Sequence, residues 1–217
     1  MNNKSIANIS MAVIRRLPKY HRYLKELLEK EVYRISSKEL SKLIGFTASQ
    51  IRQDLNCFGG FGQQGYGYNV EELYNEIGKI LGLDKTYKLI IIGAGNLGQA
   101  IANYTNYERS GFELIALFDI NPKLQGLKIR DIPFRDIDEL EQFTNENYID
   151  IVVISTPKEV AQSVVDKLNI KNVGGIWNFA PTDLKVSDEI VVENVHLNES
   201  LFTLSYLLNE RELESKK

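Results

Sequence analysis

A glycine-rich segment in the second half of the chain has the spacing of a phosphate-binding turn. The segment is Gly93-Ala94-Gly95-Asn96-Leu97-Gly98, and it directly follows the apolar run 88–92. In a G-x-G-x-x-G turn between a strand and a helix, the first glycine permits the tight turn and the second lets the backbone approach a pyrophosphate. The third glycine allows the helix to pack closely on the strand. All six residues are therefore predicted to bind a dinucleotide.

An acidic residue after this motif indicates which dinucleotide is bound. Asp119 closes a predicted strand over 113–118. A carboxylate at this place accepts hydrogen bonds from the adenosine ribose hydroxyls and repels a 2′-phosphate. The sequence thus favours NADH and NAD+ as cofactors over their phosphorylated forms. The alternative is that Asp119 only caps the turn that follows it.

Two later strand ends are predicted to meet the same crevice, because ligands of open α/β sheets bind at the carboxyl ends of the strands. The predicted strands span 150–155 and 173–177. The residues after them that we expect to line the cofactor site are Thr156, Pro157, Asn178, Phe179 and Pro181. The alternative is that both proline-bearing turns are only strand-to-loop transitions.

The first half of the chain contains two predicted short helices, each opened by a capping pattern. Ser36 with Glu39 begins one, Thr47 with Gln50 begins the next, and a turn containing Gly45 lies between them. This is the helix-turn-helix pattern, whose second helix enters the major groove of DNA. Along the second helix, 47–56, the side chains that can bond phosphates or base edges are Thr47, Ser49, Gln50, Arg52 and Gln53. Taken alone, the pattern also fits a three-helix protein-interaction domain.

Three further predicted elements frame the helix-turn-helix. An amphipathic helix over 18–31 precedes it. Aromatic residues interleaved with five glycines over 58–68 predict a β-hairpin wing. A helix over 70–82 follows, capped by Asn69. These elements together predict a winged-helix domain, with the domain boundary at 83–86.

The composition fits two domains with different partners. The chain has 217 residues and is 43% hydrophobic, which is enough for two cores. Residues 1–60 carry 11 basic and 5 acidic side chains, whereas residues from 86 onward carry 13 and 20, so the first part is the candidate to meet a polyanion. There is a single cysteine and no apolar run that approaches the roughly 18 residues of a membrane span or the core of a signal peptide. A cytoplasmic protein without membrane or metal is expected.

The last predicted helix, about 198–209, has more apolar surface than a free terminal helix usually shows. Its large apolar residues include Leu201, Leu204, Tyr206, Leu207 and Leu208. A dimer contact would bury them. The predicted fold is α/β, with a winged-helix DNA-binding domain over 1–85, a Rossmann NAD(H)-binding domain over 86–196, and a C-terminal dimerisation helix and tail over 197–217.

Several segments share the pattern of one known family. They are Arg16-Leu17-Pro18, Tyr20-x-Arg22-Tyr23-Leu24, Ile51-Arg52-x-Asp54-Leu55, Phe58-Gly59-x-Phe61-Gly62, Gly65-Tyr66-Gly67-Tyr68, the glycine motif, and Asn178-Phe179-Ala180-Pro181. With these segments the chain resembles the Rex family of bacterial redox-sensing repressors over essentially its whole length. The resemblance implies a homodimer with an exchanged C-terminal helix, which represses genes of NADH-reoxidising metabolism and leaves operator DNA when NADH binds.

The resemblance also implies roles for individual residues. Further residues expected at the DNA are Arg16, Lys19, Tyr20, Gln63, Gln64 and Tyr66. Those expected to couple the domains are Arg22, Tyr104 and His196. The chain departs from the family pattern where Gln53 replaces a lysine, Gln64 a basic wing residue and His196 an aspartate. Losing two cations should weaken phosphate attraction and reduce the salt slope by roughly 0.9 per contact.

Two other function classes compete with a repressor. An NAD-dependent dehydrogenase needs an acid-base group near the nicotinamide, most often His, Tyr or Lys. The histidines are His21, in the first helix of the other domain, and His196, and none of the 11 tyrosines has a lysine four residues later. We therefore expect no enzyme activity. An NAD-responsive protein-interaction module without DNA binding stays open at this point.

Overall fold

The computed structural model describes residues 9–59, 61–63, 66–104 and 110–215, and for residues 62 and 63 it describes the backbone only. The chain divides into two compact units, residues 1–85 and residues 86–217. Each unit has its own hydrophobic core.

The N-terminal unit is a helical cluster with a small antiparallel sheet. Its elements are α1 (Met11–Ile14), α2 (Leu17–Glu29), β1 (Arg34–Ile35), α3 (Ser37–Ile44), α4 (Ala48–Asn56), β2 (Gly62–Gln63), β3 (Gly67–Asn69) and α5 (Val70–Ile80). The sheet has the strand order β1-β3-β2, so the hairpin β2-β3 also pairs with the strand before α3. The helices α3 and α4 with this hairpin form a winged helix-turn-helix.

Local capping explains where α3 and α4 begin. The Ser36 side chain accepts from the Glu39 backbone N–H, and the Glu39 carboxylate accepts from the Ser36 backbone N–H, which completes a capping box. Gly45 ends α3 at a φ of +82°, a conformation that favours glycine. Thr47 then caps α4 by accepting from the Gln50 N–H. The two helices are therefore separated by a turn that the sequence encodes residue by residue.

The C-terminal unit is a doubly wound sheet. Its strands are β4 (Tyr87–Ile92), β5 (Phe112–Asp119), β6 (Lys128–Ile129), β7 (Ile132–Asp136), β8 (Ile149–Ile154), β9 (Val173–Asn178) and β10 (Val191–Asn194). The order is β10-β9-β8-β4-β5-β7-β6, parallel except for the pairing of β6 with β7. The helices of this unit are α6 (Asn96–Asn103), α7 (Leu140–Glu146), α8 (Lys158–Val165) and α9 (Leu197–Ser215). Among the described residues, no helix is both long and apolar enough to cross a membrane.

The structure corrects several predicted boundaries. The terminal helix runs from Leu197 to Ser215, well past the predicted end at 209. The helix predicted over 70–82 ends at Ile80, because Gly82 adopts a φ of +73° that breaks the helix. The helix expected after the glycine motif runs from Asn96 to Asn103, and residues 105–109 lie outside the described part of the chain.

His21 on α2 lies at the contact between α2 and α5. Its ring stacks on Tyr74, with the ring centroids 4.2 Å apart and the planes inclined by 19°. A Cβ at Gly78 would lie 3.4 Å from Nε2 of His21, so the glycine leaves room for the ring. Burial, and to a smaller extent the charge of Lys25, lower the pKa of His21. The packed arrangement therefore favours neutral imidazole.

This arrangement predicts that acidification destabilises the N-terminal unit. As the pH falls, His21 of the unfolded chain takes up a proton at the ordinary histidine pKa of about 6.5, before His21 of the folded chain does. The contribution of His21 to the free energy of unfolding is therefore constant above that pH and decreases below it. His21→Gln should reduce the loss of melting temperature between about pH 7.5 and pH 5.5. His196→Gln, which removes the other histidine, serves as the control. An equal loss in the wild type and in His21→Gln would contradict the prediction.

Candidate dinucleotide and nucleic-acid sites

The first and last glycines of the motif are fixed by packing. Gly93 ends β4 at a φ of +94°, and a Cβ there would lie 2.8 Å from the Ser155 carbonyl oxygen. A Cβ on Gly98 would lie only 1.9 Å from the Gly93 carbonyl oxygen. Neither position has room for a side chain, so the motif lets α6 begin directly against the end of β4 and close to β8.

The middle glycine faces open space instead. Gly95 is the N-cap of α6, and a Cβ there would meet nothing within 4 Å. The backbone N–H groups of a helix N-terminus attract anions. Beside this turn, the Thr156 side-chain oxygen is buried and has no hydrogen-bond partner among the described residues. Open space at Gly95 and a buried polar atom without a partner fit the pyrophosphate and a polar group of a dinucleotide.

Asp119 ties the glycine turn to the end of β5. One carboxylate oxygen accepts from the Ala94 N–H at 2.6 Å, and the other accepts from the Asn121 N–H at 2.8 Å. The side chain therefore does cap its own turn, as the alternative interpretation expects. Carboxylate oxygens accept more than one hydrogen bond each, so a ribose contact stays a prediction.

Sequence reasoning missed two neighbours of Asp119. Asp136 ends β7 and stands in register beside Asp119, which brings a second carboxylate to this edge of the sheet. Ile120 is 81% exposed and follows Asp119 directly, so it is an apolar surface at the predicted adenosine end. An acidic residue at the end of the adjacent strand is the signal that would have identified Asp136.

The other strand ends behave differently from one another. Pro157 is the N-cap of α8, Phe179 is half-buried with its ring 4.6 Å from that of Trp177, and Pro181 is exposed. The prediction for the Asn178 side chain is wrong, because that residue is fully buried. Its Nδ2 donates to the Thr182 carbonyl and to the Asn194 side chain, while its Oδ1 accepts from the Ala180 N–H. Asn178 holds the turn after β9 and does not face a ligand.

The exposed face of α4 carries the predicted DNA contacts. Ser49, Arg52 and Gln53 are exposed, and Gln50 is partly buried. The Thr47 side chain is exposed but is used as the helix cap. Arg52 donates from Nη1 to the Ser37 hydroxyl at 3.0 Å, so its guanidinium is already oriented by α3. The opposite face of α4 is buried through Ile51, Asp54 and Leu55.

Two of the residues expected at the DNA form a buried network with Asp54. Arg16 donates from Nε and Nη2 to the two Asp54 oxygens at 2.7 and 2.8 Å. The Tyr20 hydroxyl donates to Asp54 at 2.8 Å, and Tyr20 is fully buried, so the prediction that Tyr20 contacts DNA is wrong. The hydrogen bond to Asp54 raises the pKa of Arg16, and burial followed by the same carboxylate raises that of Tyr20. The sequence identified Asp54 only as part of the family segment 51–55 and indicated no role for it, although it lies between core residues of an amphipathic helix.

The remaining predicted residues are dispersed. Lys19 lies over the Phe46 ring at 4.8 Å, and Tyr66 in the wing is 70% exposed. Gln63 belongs to β2, its side chain is outside the described part, and Gln64 lies outside the described residues. Of the coupling residues, Arg22 lies over the Tyr23 ring at 5.0 Å, Tyr104 is half-exposed, and His196 Nε2 is 3.9 Å from an Asp183 oxygen. No group of side chains among the described residues could hold a metal ion.

Alanine substitutions at Gly95 and Gly98 are expected to affect different properties, namely NADH binding and folding stability. Gly95→Ala should fold as well as the wild type, because its φ of −68° is open to alanine and its Cβ meets no atom. It should nevertheless weaken NADH binding about tenfold or more, because the methyl group takes the space of the pyrophosphate. Gly98→Ala should cost about 3 kcal/mol or more of unfolding free energy through overpacking. Calorimetric titration and thermal melting measure both effects, and wild-type NADH affinity in Gly95→Ala would contradict the assignment.

Comparison with known families matches both units. Residues 8–56 match the family described as "Putative DNA-binding protein N-terminus", and residues 84–182 match the "CoA binding domain" family. The chain has the fold of the solved structure of RSP, a Rex-family repressor, with a TM-score of 0.88, 63% identity and coverage of 96% of this chain and 97% of that one. RSP has also been solved with β-NAD+ and operator DNA, a structure that matches with a TM-score of 0.88 at 65% identity over 96% of both chains.

Named relatives agree with the structural comparison. The redox-sensing transcriptional repressor Rex of Caldanaerobacter subterraneus subsp. tengcongensis is 64% identical over 216 residues, which cover 100% of this chain and 96% of the relative. Rex of Clostridium tetani is 67% identical over 205 residues, or 94% of this chain and 97% of the relative. The chain therefore belongs to the Rex family of redox-sensing transcriptional repressors.

Proposed function

We propose that this chain binds operator DNA when the NADH/NAD+ ratio is low and is released from it by NADH. The observation that carries the proposal is the glycine turn with open space at Gly95, in the same chain as a helix-turn-helix whose second helix exposes Ser49, Arg52 and Gln53. RSP, which has the same fold, has been solved with β-NAD+ and operator DNA and with β-NADH. Because operator DNA lies in the bacterial cytoplasm, we propose that location for this chain.

The exposed face of α4 supports reading of base edges in the major groove. Arg52 and Gln53 are adjacent and exposed, and both side-chain types bond base edges bidentately, arginine to guanine and glutamine to adenine. Arg52 is held by Ser37, which limits the freedom that it must lose on binding. Lys19 and Tyr66 add a cation and a hydroxyl at the same unit that can contact phosphates.

The nicotinamide end of the site supports a preference for the reduced cofactor. Phe179 and Pro181 follow β9 and offer apolar surface at the carboxyl end of the sheet. Reduced nicotinamide is uncharged and tolerates such surface, whereas the oxidised ring carries a positive charge that is costly to bury. At the adenosine end, Asp119 and Asp136 place two carboxylates where a 2′-phosphate would be repelled.

A homodimer is supported by two apolar surfaces of the C-terminal unit. All described residues of α9 are exposed, including Leu201 at 59%, Phe202 at 69%, Leu204 at 50% and Leu208 at 58%. An apolar pocket of about 600 Å³ lies against β4, β8, β9 and β10. Its apolar lining includes Leu89, Ile151, Ile176, Trp177 and Val191. We infer that α9 of a second copy packs into this pocket. Residues 86–196 then act as the NAD(H)-binding domain, and 197–217 as an exchanged dimerisation segment.

The proposed function predicts reciprocal binding of NADH and operator DNA. On a duplex from the region upstream of the protein's own gene, a gel shift should form without NADH and be lost with it, while NADPH should have little effect. Operator must in turn weaken NADH binding by the same factor, typically about 5- to 150-fold. Arg52→Ala should weaken operator binding by about 1–3 kcal/mol while the fold is retained. Equal NADH affinity with and without saturating operator, measured by calorimetry, would rule out the switch.

The proposed dimer predicts that a single charge in α9 separates the copies. Leu204→Asp should give a monomer in sedimentation equilibrium, because a carboxylate cannot be buried against apolar strands without a partner. Ser205→Asp introduces the same charge at a neighbouring position that is already polar, and should leave more of the dimer. Deletion of 197–217 should also give a monomer, whereas His196→Ala should not. A dimer that survives the deletion would contradict the role of α9.

A further inference from the structure

Asp54 is a charged side chain inside the core of the N-terminal unit. It lies on α4 between Ile51 and Leu55, and its side chain is 3% exposed. Among the described residues, the buried polar or charged side chains are Asp54, Thr144 and Asn178, and Asp54 is the one that carries a carboxyl group. A buried carboxylate persists only where it is paired and hydrogen-bonded.

The partners of Asp54 all come from α2 and the residue before it. Arg16, the N-cap of α2, forms a two-pronged pair with both carboxylate oxygens. Tyr20, one helical turn further on, donates its hydroxyl to Oδ2. Apolar contacts between helices tolerate small rotations, whereas a bidentate guanidinium-carboxylate pair requires one geometry. The network therefore determines how α4 is rotated on α2.

The rotation of α4 determines where its exposed side chains point. Gln53 is adjacent to Asp54 and Arg52 precedes it by two residues, so both directions follow from the orientation that Asp54 sets. Bidentate contacts with base edges depend on such directions, whereas attraction to phosphates depends mainly on charge. A change in the rotation of α4 would thus weaken recognition of a specific DNA sequence more than general binding to DNA.

Folding energy alone gives no reason for this network. Replacing a buried ion pair by apolar residues of similar size is often neutral or stabilising, because the pair loses its hydration. Tyr20 could keep its ring contact with Phe46, at 5.7 Å between centroids, without its hydroxyl. We therefore expect the polar atoms of Arg16, Tyr20 and Asp54 to specify one arrangement of α4 on α2.

We propose that Asp54 is a positioning residue for operator recognition, which acts through Arg16 and Tyr20 to fix the orientation of α4. This inference rests on the proposed function that the chain binds operator DNA. It also changes the role of Arg16, because a guanidinium neutralised by Asp54 contributes little net charge to phosphate attraction. Removal of the negative charge of Asp54 should therefore weaken specific binding and leave general binding unchanged or tighter.

The test compares operator with a scrambled duplex of the same length and salt concentration. Asp54→Asn should lower the ratio of the two affinities about tenfold or more, while binding to the scrambled duplex stays unchanged or becomes tighter. A variant that simply fails to fold would bind both the operator and the scrambled duplex more weakly. Asp84→Asn, the same chemical change at an exposed position of the same unit, should leave the ratio unchanged. NADH affinity in the other unit confirms that each variant is intact there.

A second variant decides the matter if Asp54→Asn does not fold. The combination Arg16→Met, Tyr20→Phe and Asp54→Leu keeps the volume of the network and removes its polar atoms. It should melt at the wild-type temperature or above, and should still lose operator preference. Wild-type preference in either folded variant would overturn the proposal. A wild type that binds both duplexes equally would instead contradict the proposed function, and the inference with it.

Discussion

The close approach of α6 to β4 is the constraint on which the nucleotide site depends. The Gly93 carbonyl occupies the space that a Cβ on Gly98 would need, so the helix begins directly at the end of the strand. The same carbonyl accepts from the Ser155 hydroxyl at 2.8 Å, which ties β4 to the end of β8. Asp119 ties the turn to β5 through the Ala94 N–H. Three strand ends thus meet at one helix N-terminus, and this convergence creates a place for an anionic ligand.

The terminal helix shows how a surface can imply a partner. Six of the eight residues over 201–208 are large and apolar, so they surround α9 and do not form one stripe along it. A helix that is hydrophobic all round is stable in water only when it is buried on several sides. The apolar pocket against β4, β8, β9 and β10 has room to cover one side of such a helix. In the proposed dimer, a helix exchanged between two copies has more than one surface to contact, which would account for an apolar pattern that a surface helix of a monomer does not tolerate.

What the sequence predicted well was local. The glycine motif, the capping boxes and the apolar strands depend on backbone conformation and short-range periodicity, and the helix-turn-helix and parallel sheet followed from them. Tyr20 and Asn178 were misassigned because a polar residue type suggests contact with a ligand, while burial depends on packing between distant parts of the chain. The role of Asp54 was missed for the same reason, since its partner Arg16 is 38 residues away. The end of α9 was underestimated because its polar last turns resemble a tail.

The two sites lie in different units, so their coupling must be a difference in free energy between whole arrangements of the protein. The core of the N-terminal unit and the Asp54 network hold α4 in one orientation, which argues against a switch that melts or rotates the recognition helix. In the proposed dimer, what changes is the spacing of two such helices, which must match half-sites roughly 34 Å apart or a multiple of it. Cofactor closure needs to alter that spacing only modestly to spoil one set of contacts. Because NADH and NAD+ differ at the nicotinamide by one charge, the proposed preference between arrangements originates where the ring meets apolar surface, for which Phe179 is the proposed residue. In the proposed function, an N-terminal unit that holds α4 in one orientation and an apolar surface that favours the uncharged nicotinamide are together sufficient for redox control, and the proposed exchange of α9 supplies the link between the copies.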